Sequence, residues 1–244
     1  MRCFKFNEGW TFEKSDSNSQ LKAFQGEKSA IQVTLPYDAM IREKRTADCP
    51  AGAQSGFYPG GVYAYEKVFF VPDEWKTQDV ELEFEGIYGT ARVWINGGLV
   101  HINRNGYMGF LINLKPWILY GQENIIKIDV DNSCQPNSRW YTGSGIYRDV
   151  NLLIGTELYV PRDRMRINTL SVQDEVAVIE VCADIKNITG ISIEAECIIE
   201  FCRCGKTVAQ EVQHVVFLQN IIETIRVQIP VLKPEKWSPE HPNL

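Results

Sequence analysis

Apolar and polar residues alternate along most of this chain. That period of two restricts it to extended strands with one buried and one solvated face. In Val80-Glu81-Leu82-Glu83-Phe84 the apolar side chains fall on one side and the glutamates on the other, so the carboxylates read as a wet face. Ala91, Val93 and Ile95 repeat the pattern against Arg92 and Trp94, and Ile126, Ile128 and Val130 repeat it against Lys127 and Asp129. Turn signals stand between these strands: Glu85-Gly86, Asn96-Gly97-Gly98, Asn105-Gly106 and Gly121. Asn96-Gly97 directly after a strand predicts a tight hairpin whose two central residues take positive φ. No long apolar repeat runs at helical spacing, and residues 115–120 are expected to form one short turn at most. This half reads as an antiparallel β-sandwich.

A second block with the same period begins after Gly155. Ile179, Val181, Ala183 and Ile185 share one face. Ile191, Ile193, Ala195, Cys197, Ile199 and Phe201 do so more clearly, against Ser192, Glu194, Glu196 and Glu200. Residues 224–229 alternate again, and residues 187–190 supply a turn between the first two strands. Several strands over about ninety residues suit an immunoglobulin-like sandwich, which needs roughly seven in about 100. The boundary is expected near residues 155–161, where Pro161 restricts the backbone. This gives a first sandwich over residues 1–156 and a second domain over 157–244. The tail, Lys236-Trp237-Ser238-Pro239-Glu240-His241-Pro242-Asn243-Leu244, lacks a closing apolar strand. A sandwich that stops there leaves a sheet edge unpaired, so the second domain is expected to be cut short.

Composition excludes several functions. A length of 244 residues allows one large or two ordinary domains, and 44% hydrophobic with 23% charged residues is enough for a sizeable core. A net charge of −6 leaves no broad basic surface, so nucleic acid is not expected as a partner. No apolar run approaches the roughly 20 residues that cross a membrane, so none is expected as a partner either. The N-terminus, Met1 to Trp10, lacks the apolar stretch of a signal peptide. The chain is therefore expected to be cytoplasmic unless an export signal precedes it. Seven cysteines, an odd number, do not suggest a complete disulfide framework. Cys202 and Cys204 form a C-x-C near Cys197, but the usual zinc spacing is missing, so reduced thiols in a strand are expected rather than a metal site. No cofactor is expected. Asn187-Ile188-Thr189 matches a glycosylation sequon, which carries no weight without secretion.

Catalytic motifs are missing from the sequence: no H-E-x-x-H, no G-x-S-x-G and no phosphate-cradling glycine loop. His101, His214 and His241 lie far apart and read as surface or loop residues. The exceptions are loops dense in polar and aromatic residues: Leu35-Pro36-Tyr37-Asp38-Ala39, the stretch from Ser55 to Tyr63, and the stretch from Ser138 to Gly145. Aromatic faces beside hydrogen-bonding groups suit sugars, because a pyranose has apolar C–H faces and a rim of hydroxyls. Aromatic residues that merely cap the ends of a sandwich account for the same composition, and on composition both readings stay open.

Several segments, taken in order, resemble the N-terminal domain of glycoside hydrolase family 2, the family of β-galactosidases, β-glucuronidases and β-mannosidases. They are Gly9-Trp10-Thr11-Phe12, Leu35-Pro36-Tyr37-Asp38, Gly60-Gly61-Val62-Tyr63, Val93-Trp94-Ile95-Asn96-Gly97, Gly121-Gln122-Glu123-Asn124, and the run from Arg139-Trp140-Tyr141-Thr142 to Arg148-Asp149-Val150. Each motif alone is weak; their order and spacing over residues 9–150 carry the match. The second block resembles the family's immunoglobulin-like domain. The fold implied is all-β: a jelly-roll, galactose-binding-like β-sandwich followed by an immunoglobulin-like one.

In the family, two glutamates on a following TIM barrel perform retaining hydrolysis of O-glycosidic bonds. Such a pair stands about 5–5.5 Å apart. A barrel takes about 250 residues of alternating strand and helix, and this chain shows none, so it carries no catalytic residue and is expected to be inactive alone. The resemblance implies a carbohydrate and the chain's own catalytic barrel as partners. It implies that Asp38 and Arg139 hydrogen-bond sugar hydroxyls while Trp140 or Tyr141 walls the sugar, that Tyr37 belongs to the same substrate-binding loops, and that Arg148 and Asp149 brace the loop. The bacterial galactosidase branch has an acidic residue near the place of Arg139 and a cation close by, so this departure speaks against a sodium site. The wording leans to galactosidases over mannosidases without choosing the sugar. Oligomeric state stays open, since members often form homo-oligomers through these sandwiches. Two other readings are a stand-alone carbohydrate-binding module or lectin, and a β-sandwich interaction module that binds no sugar.

Overall fold

The computed structural model describes residues 1–15 and 30–243; Leu244, the last residue of the tail motif, lies outside them. The all-β class predicted from the alternation holds. Among the described residues the elements are strands and three short 3₁₀ turns, Met40–Arg42, Gly52–Ser55 and Asp73–Thr77. The chain forms two compact units, one over Arg2–Ile154 and one over Gly155–Leu244 with Met1.

The first unit is the jelly-roll sandwich. Its strands are Arg2–Lys5 (β1), Trp10–Lys14 (β2), Ile31–Val33 (β3), Val62–Val71 (β4), Asp79–Phe84 (β5), Ile87–Tyr88 (β6), Thr90–Ile95 (β7), Gly98–Asn103 (β8), Phe110–Asn113 (β9), Gln122–Asp131 (β10), Gly145–Ile146 (β11) and Val150–Gly155 (β12). One sheet has the order β1-β12-β5-β9 and the other β3-β2-β4-β10-β7-β8, while β6 and β11 make a small separate pair. Val80, Leu82 and Phe84 of the first sheet share one core with Tyr63, Tyr65, Val93, Ile95, Ile126 and Ile128 of the second, all at most 1% exposed. The Asn96-Gly97 hairpin forms as predicted: Asn96 has φ 49°, Gly97 has φ 84°, and Ile95 pairs with Gly98.

The second unit contains Leu158–Tyr159 (β13), Met165–Val172 (β14), Val176–Asn187 (β15), Ile193–Arg203 (β16), Lys206–Phe217 (β17) and Ile222–Leu232 (β18). This is the immunoglobulin-like part. β15 pairs with β13 and β14 and also with β18, while β16 and β17 form a two-stranded ribbon. Its core gathers Val181 of β15, Phe217 of β17 and Ile225, Val227 and Ile229 of β18, with Ala195, Cys197, Ile199 and Phe201 of β16 packed against them half-buried.

Three sequence readings need correction. Glu83 is not on a wet face: it is buried and its Oε2 accepts a 2.8 Å bond from Asn151 Nδ2, so the polar side of β5 is covered as well as the apolar side. His101 is not a free surface residue, because its ring stacks on Phe110 at 4.6 Å between centroids, and burial lowers its pKa. Ile191 precedes β16 and is exposed, so the inward row starts at Ile193. Asn187 of the sequon is fully buried, with its Nδ2 donating to the carbonyls of Ile191, Phe217 and Leu218.

Candidate functional site

Two loops of the first unit are locked together around one carboxylate. Asp38 Oδ1 accepts the backbone N–H of Met40 and that of Ser144, each at 2.9 Å, and Oδ2 accepts the Tyr141 hydroxyl at 2.6 Å. The backbone adds Tyr37 N to Ile146 O and Ala39 N to Ser144 O, both 2.8 Å. Bonds to a charged acceptor are stronger than neutral ones, so Asp38 fixes the loop ending at Gly145. The chain can pass so close only because of glycine. Gly143 has φ +71°, and a Cβ there would stand 3.0 Å from Asp38 Oδ2; a Cβ at Gly145 would stand 2.0 Å from Tyr65 Oη. Tyr65 Oη in turn donates to Tyr37 O at 3.1 Å. Burial, then the bond to the Asp38 carboxylate, pushes the Tyr141 pKa upward, so its hydroxyl stays protonated.

Beyond this anchor the loop turns outward. Trp140 is 58% exposed, and its Nε1 donates to Tyr107 Oη at 3.0 Å. Tyr107 meets Tyr88 edge to face at 5.4 Å. Tyr147 Oη donates to Gly106 O at 2.8 Å and Arg148 Nη1 donates to Tyr107 O at 3.2 Å, which holds the Tyr107 turn in place. Asp149 accepts from Asn7 Nδ2 at 2.9 Å and pairs with Lys5, inside the same unit. Beside Tyr107 lies a hollow of about 550 Å³, lined among others by Arg104, Asn105, Asp131, Asn132 and Asn137. Asn132 is buried and donates to Ser144 Oγ at 2.5 Å.

The five residues nominated from the sequence thus fall in different settings. Asp38 and Tyr141 bond to each other, and Tyr58 lies edge to face with Tyr141 at 5.7 Å. Trp140 offers an open ring. Arg139 is exposed, and no hydrogen bond or ion pair engages it among the described residues. Tyr37 packs on Phe12 at 4.8 Å beside the core, with the Arg42 guanidinium over its ring at 5.5 Å. Tyr107 and Tyr88 were not nominated. The signal for Tyr107 was its place after Asn105-Gly106, an aromatic at the tip of a turn. The site offers an aromatic plane, a free guanidinium and several amides, which is chemistry for binding a polar ring. Among the described residues no three His, Cys, Asp or Glu side chains gather to hold a metal ion.

Residues 29–155 match the family model described as glycosyl hydrolases family 2, sugar binding domain. A β-galactosidase of Bacteroides ovatus is 32% identical over 182 residues, covering 75% of this chain and 21% of the relative. A β-glucuronidase of Bacteroides fragilis is 30% identical over 193 residues, covering 74% of this chain and 27% of the relative. A solved family 2 glycosyl hydrolase from Bacteroides cellulosilyticus superposes with a TM-score of 0.85 at 28% identity, over 99% of this chain and 32% of that one. The chain spans only about a fifth to a third of such proteins.

Proposed function

The chain belongs to glycosyl hydrolase family 2, and from that premise we propose that it forms the sugar-facing front of a retaining, β-galactosidase-type glycosidase. The observation that carries this reading is the loop of residues 138–145. Asp38 locks its base, while Trp140, tethered at Nε1 to Tyr107, turns its ring to solvent and Arg139 stands free. In this reading Trp140 gives a sugar's C–H face a flat apolar wall, Arg139 donates to hydroxyls, and Asp38 positions both without touching the sugar itself. The acid/base and nucleophile stand on a barrel outside residues 1–244, so the chain alone hydrolyses nothing. Its seven free cysteines suit a reducing, cytoplasmic setting.

The test is kinetic, on the full-length protein with aryl β-galactoside. Trp140→Ala is expected to lower kcat/KM roughly tenfold or more, equal to about 1.4 kcal/mol of lost stabilisation. Unchanged kcat/KM for Trp140→Ala and Arg139→Ala on every hydrolysed glycoside would remove these loops from the site. One observation favours a β-glucuronide as the substrate instead: the unengaged Arg139 guanidinium matches a carboxylate in bidentate fashion. Arg139→Ala then depresses turnover of the glucuronide far more than that of the galactoside.

A further inference from the structure

A single row of side chains crosses all six strands of the larger sheet on the face turned from the core. In register it reads Gln32 on β3, Thr11 on β2, Glu66 on β4, Lys127 on β10, Trp94 on β7 and Leu99 on β8. With strands ~4.8 Å apart the row is roughly 24 Å long. The adjacent row holds Glu13, Ala64, Asp129 and Arg92. Ala64 is short, and between its neighbours lies a hollow of about 370 Å³ bordered by Thr11, Glu13, Glu66 and Asp129. A second hollow of about 360 Å³ lies beside Trp94, Asn96, Gly97 and Ile125. Both hollows are bordered by Glu66 and Lys127, so together they make one trough across the strands.

We propose that this trough is a second glycan-binding site, which takes a neutral oligosaccharide laid across the strands with Trp94 as its platform. An ordinary wet sheet face also alternates glutamate with lysine, but it does not set a half-buried indole among them beside two recesses. Lys127 Nζ stands 6.0 Å from the Trp94 ring centroid and 3.7 Å from Asp129 Oδ1, so the platform is flanked by groups able to bond hydroxyls. The carboxylates of Glu13, Glu66 and Asp129 outnumber the cations of Lys127 and Arg92 by one, which disfavours polyanionic chains. The choice of carbohydrate rests on the family reading above. The location does not, because Thr11, Glu66, Trp94 and Lys127 stand on the sheet face, outside the loops around Asp38 and Trp140.

The experiment is affinity electrophoresis of the 244-residue chain through gels containing galactan, galactomannan or xyloglucan, with polygalacturonate as the charged control. Calorimetric titration with oligosaccharides of the retarding polymer follows. At least one neutral polymer is expected to retard the chain and polygalacturonate is not. Trp94→Ala should weaken binding at least about tenfold and Trp94→Phe should retain most of it. Ala64→Phe fills the trough without touching the indole and should also abolish retardation; thermal melts confirm that each variant is folded. The proposal is overturned if no neutral polymer retards the chain, if polygalacturonate binds as well, or if folded Trp94→Ala and Ala64→Phe bind like the parent. It is also overturned if Trp140→Ala alone abolishes binding, a result that supports the loop reading instead. Retardation lost with Trp94→Ala in a protein whose loop variants hydrolyse normally leaves this proposal standing while the loop reading fails.

Discussion

In the first unit Leu82 and Phe84 of one sheet and Ile126 and Ile128 of the other meet in one core, all excluded from solvent. In the second unit Ala195, Cys197, Ile199 and Phe201 line the inner side of β16 just as regularly, yet each keeps part of its surface in water. The alternation is equally clean in both. What differs is how much backbone lies over it: a four-stranded sheet against a six-stranded one in the first unit, and a four-stranded sheet against a two-stranded ribbon in the second. Strand β14 shows the limit, since all eight of its residues are exposed although Met165, Ile167, Leu170 and Val172 are apolar. Period two settles which side chains share a face. The number of strands stacked on that face decides how much of the ~25 cal/mol per Å² of apolar burial is realised.

The contrast can be broken by mutation. Phe84→Ala, in the doubly covered core, is expected to cost about 3–5 kcal/mol in chemical denaturation of the first unit. Asp38→Ala comes next, at about 2–3 kcal/mol, because it strands the N–H groups of Met40 and Ser144 and the Tyr141 hydroxyl. A loss under about 0.5 kcal/mol there would mean the loop is held by its backbone bonds alone. Phe201→Ala on the ribbon should cost only about 1–2 kcal/mol; a cost equal to that of Phe84→Ala would show the ribbon to be as deeply covered as the first core. Hydrogen exchange offers the same comparison without mutation, with amides of β10 protected longer than those of β14.

The smallest expected effect is electrostatic. The Ser133 hydroxyl and backbone N–H both donate to Asp131 Oδ1 and hold its carboxyl below the usual range. A depressed folded pKa means that this stabilisation is present above the ordinary carboxylate value near ~3.9 and lost as pH falls through the lower one. The Tm difference between the parent and Asp131→Asn should therefore be constant from neutral pH down to about 4 and shrink below it. A difference that grows on acidification contradicts the assignment.

Much of this was legible in the sequence, and the failures have a common cause. Asn96-Gly97 declared its hairpin because positive φ at two successive positions is a local demand. Glu83 did not declare its burial, because that depends on Asn151, 68 residues away. The loops were identifiable by composition, and both Asp38 and Tyr141 were nominated. Their mutual bond across 103 residues was not readable, and it gives Asp38 the task of holding the loop in place. Tyr37 shows the same limit: the packing of its half-buried ring on Phe12 is set by the fold and not by its polar loop.

The bond between Trp140 Nε1 and Tyr107 Oη also has a thermodynamic meaning. Freezing a free, rotamer-rich side chain on binding costs about 0.5–1.5 kcal/mol. An indole already tethered at its nitrogen has spent part of that entropy during folding. A ring that docks on Trp140 meets a surface of fixed tilt, so its affinity is set by the fit of the two faces and little is lost to rearrangement. Tyr107→Phe, which keeps the ring and removes the tether, converts that fixed plane into a swinging one.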